Sequence, residues 1–194
     1  MKIAITGDTK GIGAALRTVL EKRGHEIVGL SRSSGYDITR ITPDIIERIE
    51  PCDLFINNAQ TDFAQTRLLY KIWRCWAEHP EKTIWNISTI LTLAGITGPP
   101  LITLDPIEMN IYRNQKLSLE DAHNQLKFSK YGGLGPKMCL IKPGNIKTKP
   151  EKERACDVDL WAEMVVNTYE QAYKNNMLLE EISIGWLYNS TIEF

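Results

Sequence analysis

The sequence has few of the residues that hold metals or form disulfide frameworks. Its 194 residues include four cysteines and three histidines. The cysteines lie far apart without a Cys-x-x-Cys pair, and no histidines are paired near them. We therefore expect free thiols in a reducing cytoplasm and no metal site. The residues concerned are Cys52, Cys75, Cys139, Cys156, His25, His79 and His123.

An excess of charge of one sign is also lacking. Lysine and arginine number 23 against 24 acidic residues, for a formal net charge of −1. The composition therefore gives no electrostatic reason to expect a nucleic acid or membrane partner. No apolar run is long enough to cross a bilayer, and an apolar strand beginning at Lys2 leaves no room for a signal peptide. We expect one soluble globular domain over residues 1–194.

Glycine is arranged in a pattern near the N-terminus. Gly7, Gly11 and Gly13 form Gly-x-x-x-Gly-x-Gly between the apolar run 3–5 and a segment of helical spacing from Leu16. A strand, a glycine turn and a helix in that order predict a dinucleotide site. A pyrophosphate must approach the N–H groups at the helix N-terminus, and a Cβ there would block it. The alternative is a glycine-rich turn opening an ordinary α/β domain.

Apolar strand patterns alternate with helical patterns along the whole chain, which predicts an α/β fold. We expect a three-layer, Rossmann-like, doubly wound parallel sheet of about six strands. The predicted strands are 3–5, 26–30, 53–60, 83–89, 138–142 and 182–188, and the predicted helices end near Arg23, begin at Thr42, span 61–78, begin at Asp105 and span 157–174.

Several of these segments together resemble the short-chain dehydrogenase/reductase family. Residues 6–13, Thr-Gly-Asp-Thr-Lys-Gly-Ile-Gly, match the Thr-Gly-x-x-x-Gly-Ile-Gly of that family at every fixed position. The later matches are Asp37-Ile38-Thr39 to Asp-Val-Thr, Asn57-Asn58-Ala59-Gln60 to Asn-Asn-Ala-Gly, Asn86-Ile87-Ser88-Thr89 to Asn-Ile-Ser-Ser, Tyr112 and Lys116 to Tyr-x-x-x-Lys, and residues 143–148 to Pro-Gly-x-x-x-Thr.

The resemblance implies hydride transfer between a nicotinamide cofactor and a carbonyl or alcohol. Tyr112 is implied as the proton donor, Lys116 as the charge that lowers its pKa and as a ligand of the ribose, and Thr89 as the residue that orients the substrate, with Ser88 as the fallback. The implied cofactor contacts are Gly7, Thr9, Lys10, Gly11, Ile12, Gly13, Arg32, Asp37, Ile38, Asn58, Ala59, Tyr112, Lys116, Pro143, Gly144, Ile146 and Thr148.

The end of the second predicted strand indicates which nicotinamide cofactor is bound. A carboxylate there would accept hydrogen bonds from a ribose 2′-hydroxyl, whereas an arginine accommodates a 2′-phosphate. This chain has Arg32 and no acid there, and it adds Lys10 in the glycine turn. The pattern favours NADP(H) over NAD(H). The alternative for each cation is a solvated surface charge.

The chain departs from the family pattern in four places. Only residues 33–36 separate Arg32 from the Asp-Ile-Thr segment, too few for a parallel crossover. We therefore expect the second crossover helix to be missing and the third strand reduced or absent. Gln60 replaces a glycine, and Gln115 stands where the family commonly has serine. The catalytic asparagine of the family is missing from helix 61–78, where Gln65 is the nearest polar residue.

These departures leave other functions open. One is a non-catalytic NADP(H)-binding sensor or structural subunit, and another is an epimerase or dehydratase that recycles its cofactor. The apolar loop 90–104 suggests a wall for a small, partly hydrophobic carbonyl substrate. By resemblance, helices 61–78 and 106–129 are the expected subunit interface of a homodimer or homotetramer.

Overall fold

The computed structural model describes residues 1–93, 105–128, 135–148 and 155–185. Six parallel strands form one sheet in the order β2-β1-β3-β4-β5-β8. They are β1 Lys2–Thr6, β2 Glu26–Leu30, β3 Leu54–Asn57, β4 Thr83–Ile87, β5 Lys137–Pro143 and β8 Glu181–Ile184. The helices are α1 Gly11–Lys22, α2 Pro43–Ile49, α3 Ala64–Cys75, α4 Pro106–Phe128 and α5 Val158–Lys174.

Helices cover both faces of the sheet. On one face α1 packs against α5, and their apolar residues join Ile3, Ile5 and Trp85 in one core cluster. On the other face α2, α3 and α4 surround Ala4 and Phe55. Neighbouring residues of a strand point to opposite faces, so the run Ile3-Ala4-Ile5 supplies both cores. The predicted three-layer, doubly wound α/β fold is confirmed.

The sheet ends at β2 on one side. Residues 31–42, all described, contain a 3₁₀ turn at Arg32–Ser34 and no strand before α2. Gly35, at φ +91°, closes that turn in the left-handed region. The chain then passes directly to the start of α2. The predicted loss of the second crossover helix and of the third strand is therefore confirmed.

Several predicted boundaries differ from the structure. Helix 61–78 is shorter, at Ala64–Cys75. The predicted strands 53–60 and 83–89 are also shorter, at Leu54–Asn57 and Thr83–Ile87. The last strand begins at Glu181 and is described to Ile184, so predicted residues 186–188 lie outside the described part, as do residues 94–104 of the apolar loop. A two-residue pairing of β6 Ile146–Lys147 with β7 Cys156–Asp157 was not predicted, because two residues show no periodicity. No helix in the described ranges is long and apolar enough to cross a membrane.

The glycine turn is anchored to the rest of the fold through Asp8. This carboxylate is buried, and its Oδ2 lies 2.7 Å from Nη1 of Arg17 on α1. It also packs against β2 at Gly29, where an added Cβ would lie 2.1 Å from Asp8 Oδ2. The residue after the first glycine of the motif thus points into the protein. A side chain at position 29 and the Asp8 carboxylate exclude one another.

Replacing Gly29 with alanine is expected to destabilise the protein, because the new carbon overlaps the Asp8 carboxylate. Overpacking of this kind typically costs about 1–3 kcal/mol of unfolding free energy. Urea denaturation of G29A, D8A and the D8A/G29A double variant measures the coupling, with D8A as the matched control. The double variant should lose less than the sum of the two single losses. Strictly additive losses would contradict the described contact.

Candidate active site

A crevice of about 370 Å³ lies at the carboxyl ends of β1, β2 and β3, the edge at which open α/β sheets bind ligands. Eight of the residues predicted to contact the cofactor line it: Gly7, Thr9, Lys10, Arg32, Asp37, Ile38, Asn58 and Ala59. Sequence reasoning did not identify Ser31, Ser33, Tyr36 and Thr61, which also line it. The residues predicted to contact the adenosine part of the cofactor therefore lie around one cavity.

The glycine turn fits a phosphate group, although its third glycine has a different physical reason. Gly7 and Gly11 have φ values of +68° and +54°, which favour glycine. A Cβ on Gly13 would lie 2.2 Å from the Gly7 carbonyl oxygen and 2.6 Å from Asn58 Nδ2. Close packing of the chain against itself therefore requires glycine at position 13. The predicted reason, that a Cβ would block a pyrophosphate, stays a prediction, and the packing at position 13 is a further reason for glycine there.

Asn58 holds the glycine turn in place. Its Nδ2 donates to the carbonyl oxygens of Thr6 at 2.9 Å and Gly7 at 3.3 Å. The Thr6 hydroxyl oxygen in turn accepts from the backbone N–H groups of Asn58 and Ala59, both at 3.0 Å. These bonds join the ends of β1 and β3. The side-chain amide of Asn58 is thus occupied by the turn, and its predicted contact with a cofactor stays a prediction.

The side of the crevice that is predicted to hold adenine carries charges of both signs. Arg32 and Lys10 are exposed, and just after the strand end the Ser31 hydroxyl oxygen lies 3.0 Å from that of Ser33 and 2.9 Å from that of Ser34. Asp37 accepts from the Thr39 backbone N–H at 2.9 Å, and that hydrogen bond is the main cause of the lowered pKa of Asp37. Serine hydroxyls beside two cations suit an anionic ligand.

Thr89, Tyr112 and Lys116 come together on the sheet side of α4. The Lys116 Nζ lies 5.8 Å from the centroid of the Tyr112 ring. The Thr89 side chain lies close enough to the Tyr112 phenol to lower the pKa of that phenol. Because Thr89 Oγ1 accepts from the Leu91 backbone N–H at 3.3 Å, its own hydrogen is available to be donated. The three residues predicted for the chemistry therefore form one cluster.

Burial raises the pKa of Tyr112, and the nearby Thr89 side chain partly offsets that effect. The phenol therefore carries its proton at neutral pH, as a proton donor must. Lys116 is not among the causes that shift this pKa. Its predicted role in lowering the pKa of Tyr112 stays a prediction.

Lys116 is almost fully buried, with 3% of its surface exposed. Its Nζ donates to Gln65 Oε1 at 2.9 Å and to the Ile87 carbonyl oxygen at 2.8 Å. An ammonium group has three hydrogens, so one is left without an acceptor in the described part of the chain. Burial lowers the pKa of Lys116 to about 7, and Glu120 opposes that change.

Gln65 contacts this lysine directly, although sequence reasoning gave it little importance. Its Nε2 donates to the carbonyl oxygens of Asn57 at 2.6 Å and Ile87 at 3.0 Å. Because both amide hydrogens are used, Oε1 must face Lys116. The sequence signal was available: Gln65 is in register with Leu68, Leu69 and Ile72, the apolar stripe of α3. A polar residue within such a stripe indicates a buried hydrogen-bonding partner.

Ser88 points to a different partner from Thr89. Its Oγ donates to Glu120 Oε1 at 2.5 Å, so the structure does not bring the Ser88 hydroxyl to Tyr112. Adjacent residues of an extended segment point in opposite directions. Thr89 takes the position toward the phenol, and the fallback role of Ser88 stays a prediction.

Two of the residues that depart from the family pattern, Gln60 and Gln115, are joined by a hydrogen bond. The Gln60 side chain donates from Nε2 to Oε1 of Gln115, the residue that precedes Lys116. Gln115 is buried, and Gln60 lines the crevice. The bond joins the end of β3 to α4 beside the catalytic cluster. Two long amides thus occupy positions where the family pattern has small residues.

The segment after β5 packs close to the glycine turn. A Cβ on Gly11 would lie 3.3 Å from Thr148 Cγ2. Gly144 donates its N–H to the Ile184 carbonyl oxygen at 2.8 Å, and a Cβ on it would lie 2.7 Å from Gly185 Cα. Pro143 and Ile146 are buried. This segment is therefore fixed by β8 on one side and approaches the turn on the other.

The remaining predicted contact, Ile12, is half-buried in α1 and packs against the core. Across the described ranges, no three His, Cys, Asp or Glu side chains form a group that could hold a metal ion. The cysteines are unpaired thiols.

Solved structures share this fold across nearly the whole chain. A short-chain dehydrogenase/reductase from Vibrio parahaemolyticus is similar at a TM-score of 0.75 and 12% identity, over 99% of this chain and 100% of that one. The 3-alpha-hydroxysteroid dehydrogenase from Pseudomonas sp. B-0831, complexed with NADH, gives 0.63 at 16% identity over 95% of both chains.

A short-chain dehydrogenase from Sphingobium yanoikuyae in complex with NADPH gives a TM-score of 0.63 at 18% identity, over 93% of this chain and 87% of that one. No family model and no curated protein sequence matches the chain. The chain has the fold of the short-chain dehydrogenases/reductases, and the likeness supports the relationship that its motifs indicate.

The buried Lys116 makes stability depend on pH in a predictable direction. Its pKa is about 7 in the folded state against a usual 10.5, so between these values the unfolded chain binds a proton that the folded protein lacks. The unfolding free energy of the wild type, relative to K116M, should therefore rise with pH by about 1 kcal/mol per pH unit. Below pH 7 the difference should be constant.

Urea denaturation at pH 6, 7, 8, 9 and 10 measures this difference. The variant K22M, which removes an exposed lysine of α1, is the matched control for loss of a lysine side chain. A wild-type minus K116M difference that stays flat from pH 7 to 10 would contradict the buried position of Lys116.

Proposed function

We propose that this chain is an NADP(H)-dependent short-chain dehydrogenase/reductase that interconverts a small carbonyl compound and its alcohol. One observation carries the proposal: the Tyr112 phenol, beside Thr89 and Lys116, is in the same fold as a glycine turn that fits a phosphate. A protein that only binds a nucleotide needs the turn, but it has no need of the other three residues.

In this proposal the reduced nicotinamide supplies the hydride when bound. Tyr112 donates its phenolic proton to the carbonyl oxygen, which becomes the alcohol oxygen. The Thr89 hydroxyl donates a hydrogen bond to the same oxygen and orients it. The third hydrogen of Lys116 binds a ribose hydroxyl, and the ammonium charge stabilises the tyrosinate that remains.

The NADP(H) preference is proposed from the chain's own residues. Arg32 and Lys10 carry positive charge at the crevice, and no acidic residue ends β2 or follows it within residues 31–36. The hydroxyls of Ser31 and Ser33, which also line the crevice, add neutral hydrogen-bonding groups. The similar structures were solved with NADH in one case and NADPH in another, so they support a nicotinamide cofactor in general.

We also propose a single domain, a cytoplasmic location and a homodimer or homotetramer. Supporting the assembly, α3 and α4 pack side by side and expose apolar side chains at Tyr70, Ile107 and Ile111. The substrate class is a small, partly hydrophobic carbonyl compound, with no nucleic acid or membrane partner.

Replacing Tyr112 with phenylalanine is expected to lower kcat for carbonyl reduction at least about 100-fold, because the proton donor is removed. NADPH binding, followed by quenching of tryptophan fluorescence, should stay close to wild type. A panel of small aldehydes and ketones with NADPH absorbance at 340 nm provides the activity measurement. Y70F, an exposed tyrosine of α3, is the matched control.

Undiminished turnover in Y112F would refute the assignment. Tight NADPH binding by the wild type, without oxidation of NADPH or conversion of sugar nucleotides, would leave the cofactor-binding sensor instead. Conversion of sugar nucleotides with no net NADPH oxidation would indicate the epimerase.

Replacing Arg32 or Lys10 with alanine is expected to weaken NADPH binding by about tenfold, because a charged hydrogen-bond donor to the 2′-phosphate is lost. NADH binding, which involves no such phosphate, should change little. Calorimetric titration of both cofactors measures the ratio of their affinities. R40A removes a nearby exposed arginine outside the crevice and is the control. Equal losses for NADH and NADPH would contradict the proposed phosphate contact.

A further inference from the structure

A buried carboxylate lies next to the catalytic cluster and has no part in the proposed chemistry. Glu120 is one turn after Lys116 on α4, with 13% of its side chain exposed. Its Oε1 lies 2.5 Å from Ser88 Oγ and 2.6 Å from Thr92 Oγ1, and its Oε2 lies 3.1 Å from Lys142 Nζ. One carboxylate therefore contacts three side chains that are distant in sequence.

Two of these contacts lie on either side of Thr89. Ser88 precedes it, and Thr92 ends the 3₁₀ turn Ile90–Thr92 that follows it. The Thr92 hydroxyl also lies 2.8 Å from the Thr89 carbonyl oxygen. Arg113, from the same face of α4, donates to the Leu91 carbonyl oxygen at 2.9 Å. Hydrogen bonds therefore hold the segment that contains Thr89 against the helix that contains Tyr112.

The third contact reaches β5. Lys142 is 6% exposed and lies between Glu120 and Glu181, whose Oε2 is 3.4 Å from its Nζ. It directly precedes Pro143 and Gly144. The groups facing Glu120 are therefore Lys142 from β5, the hydroxyls of residues 88 and 92, and Lys116 from its own helix, with Glu181 of β8 beyond Lys142.

Stability alone gives little reason for this arrangement. Burying a carboxylate and an ammonium carries a desolvation penalty that their attraction can fail to offset, so well-packed apolar residues often serve equally well. Charged hydrogen bonds are short and directional, so they can fix the positions of the groups that they join. A catalytic hydroxyl must be held within about 0.5 Å of its working position.

We propose that Glu120 is a positioning residue that holds the segment 88–92 so that the Thr89 hydroxyl meets the Tyr112 phenol. Its effect on turnover rests on the proposed function, whereas its effect on the contact between Thr89 and Tyr112 does not. Glu120 contacts neither Thr89 nor Tyr112, and it holds the segment through Ser88 and Thr92. Its charge also raises the pKa of Lys116, and the variant S88A/T92V, which keeps that charge, separates the two effects.

The test uses the full chain with ¹³Cζ-labelled tyrosine. The Tyr112 signal is assigned by its absence in Y112F, and its chemical shift at neutral pH reports the position of the Thr89 hydroxyl beside the phenol. In E120M the signal should move to the position seen in T89V, and the E120M/T89V double variant should show no further change. E181Q removes the other carboxylate beside Lys142 without touching segment 88–92, so its Tyr112 signal should match wild type.

With a carbonyl substrate and NADPH, E120M should lower kcat by about 10-fold to 100-fold while the KM for NADPH stays unchanged. If E120M does not fold, S88A/T92V removes the same two contacts and leaves the pair of Glu120 with Lys142 in place. The signal test is independent of turnover, so an inactive wild type would refute the proposed function alone. A wild-type Tyr112 signal in folded E120M or S88A/T92V would overturn the positioning role.

Discussion

The burial of the Lys116 ammonium is the constraint on which the site depends. A charged group taken out of water must find hydrogen-bond acceptors, and here they come from Gln65 on α3 and Ile87 on β4. Two helices and a strand are thereby fixed to one point. Since Tyr112 lies one turn before Lys116 on α4, its phenol is placed beside Thr89 at the end of the same strand.

Sequence reasoning succeeded where a local pattern determines the outcome. Parallel strands end at one edge, so motifs that follow β1, β3 and β4 had to meet there, and the short link from Arg32 to Tyr36 excluded a crossover. Sequence reasoning failed where the position of a side chain depends on a residue that is distant in the sequence. The bond of Gln65 to Lys116 spans 51 residues. That Ser88 faces Glu120 instead of Tyr112 depends on α4, 32 residues later.

Two residues that depart from the family pattern compensate each other. Gln60 and Gln115, each larger than the residue it replaces, share a hydrogen bond. Asp8, at a variable position of the glycine turn, is likewise accommodated by the missing side chain of Gly29 and paired with Arg17. An unmatched buried polar group would cost about 1–3 kcal/mol. Pairing therefore explains how single positions can leave the pattern while the backbone keeps its course.

The missing crossover trims the sheet at a place that the chemistry does not use. β2 becomes the edge strand, so the residues that follow it, Arg32 to Asp37, lie at the border of the crevice. Thr89, Tyr112 and Lys116 depend instead on β4 and its neighbours β3 and β5, which are buried between two helical layers. Shortening the sheet on the β2 side removes surface around the adenine end, and the contacts that hold the phenol remain complete.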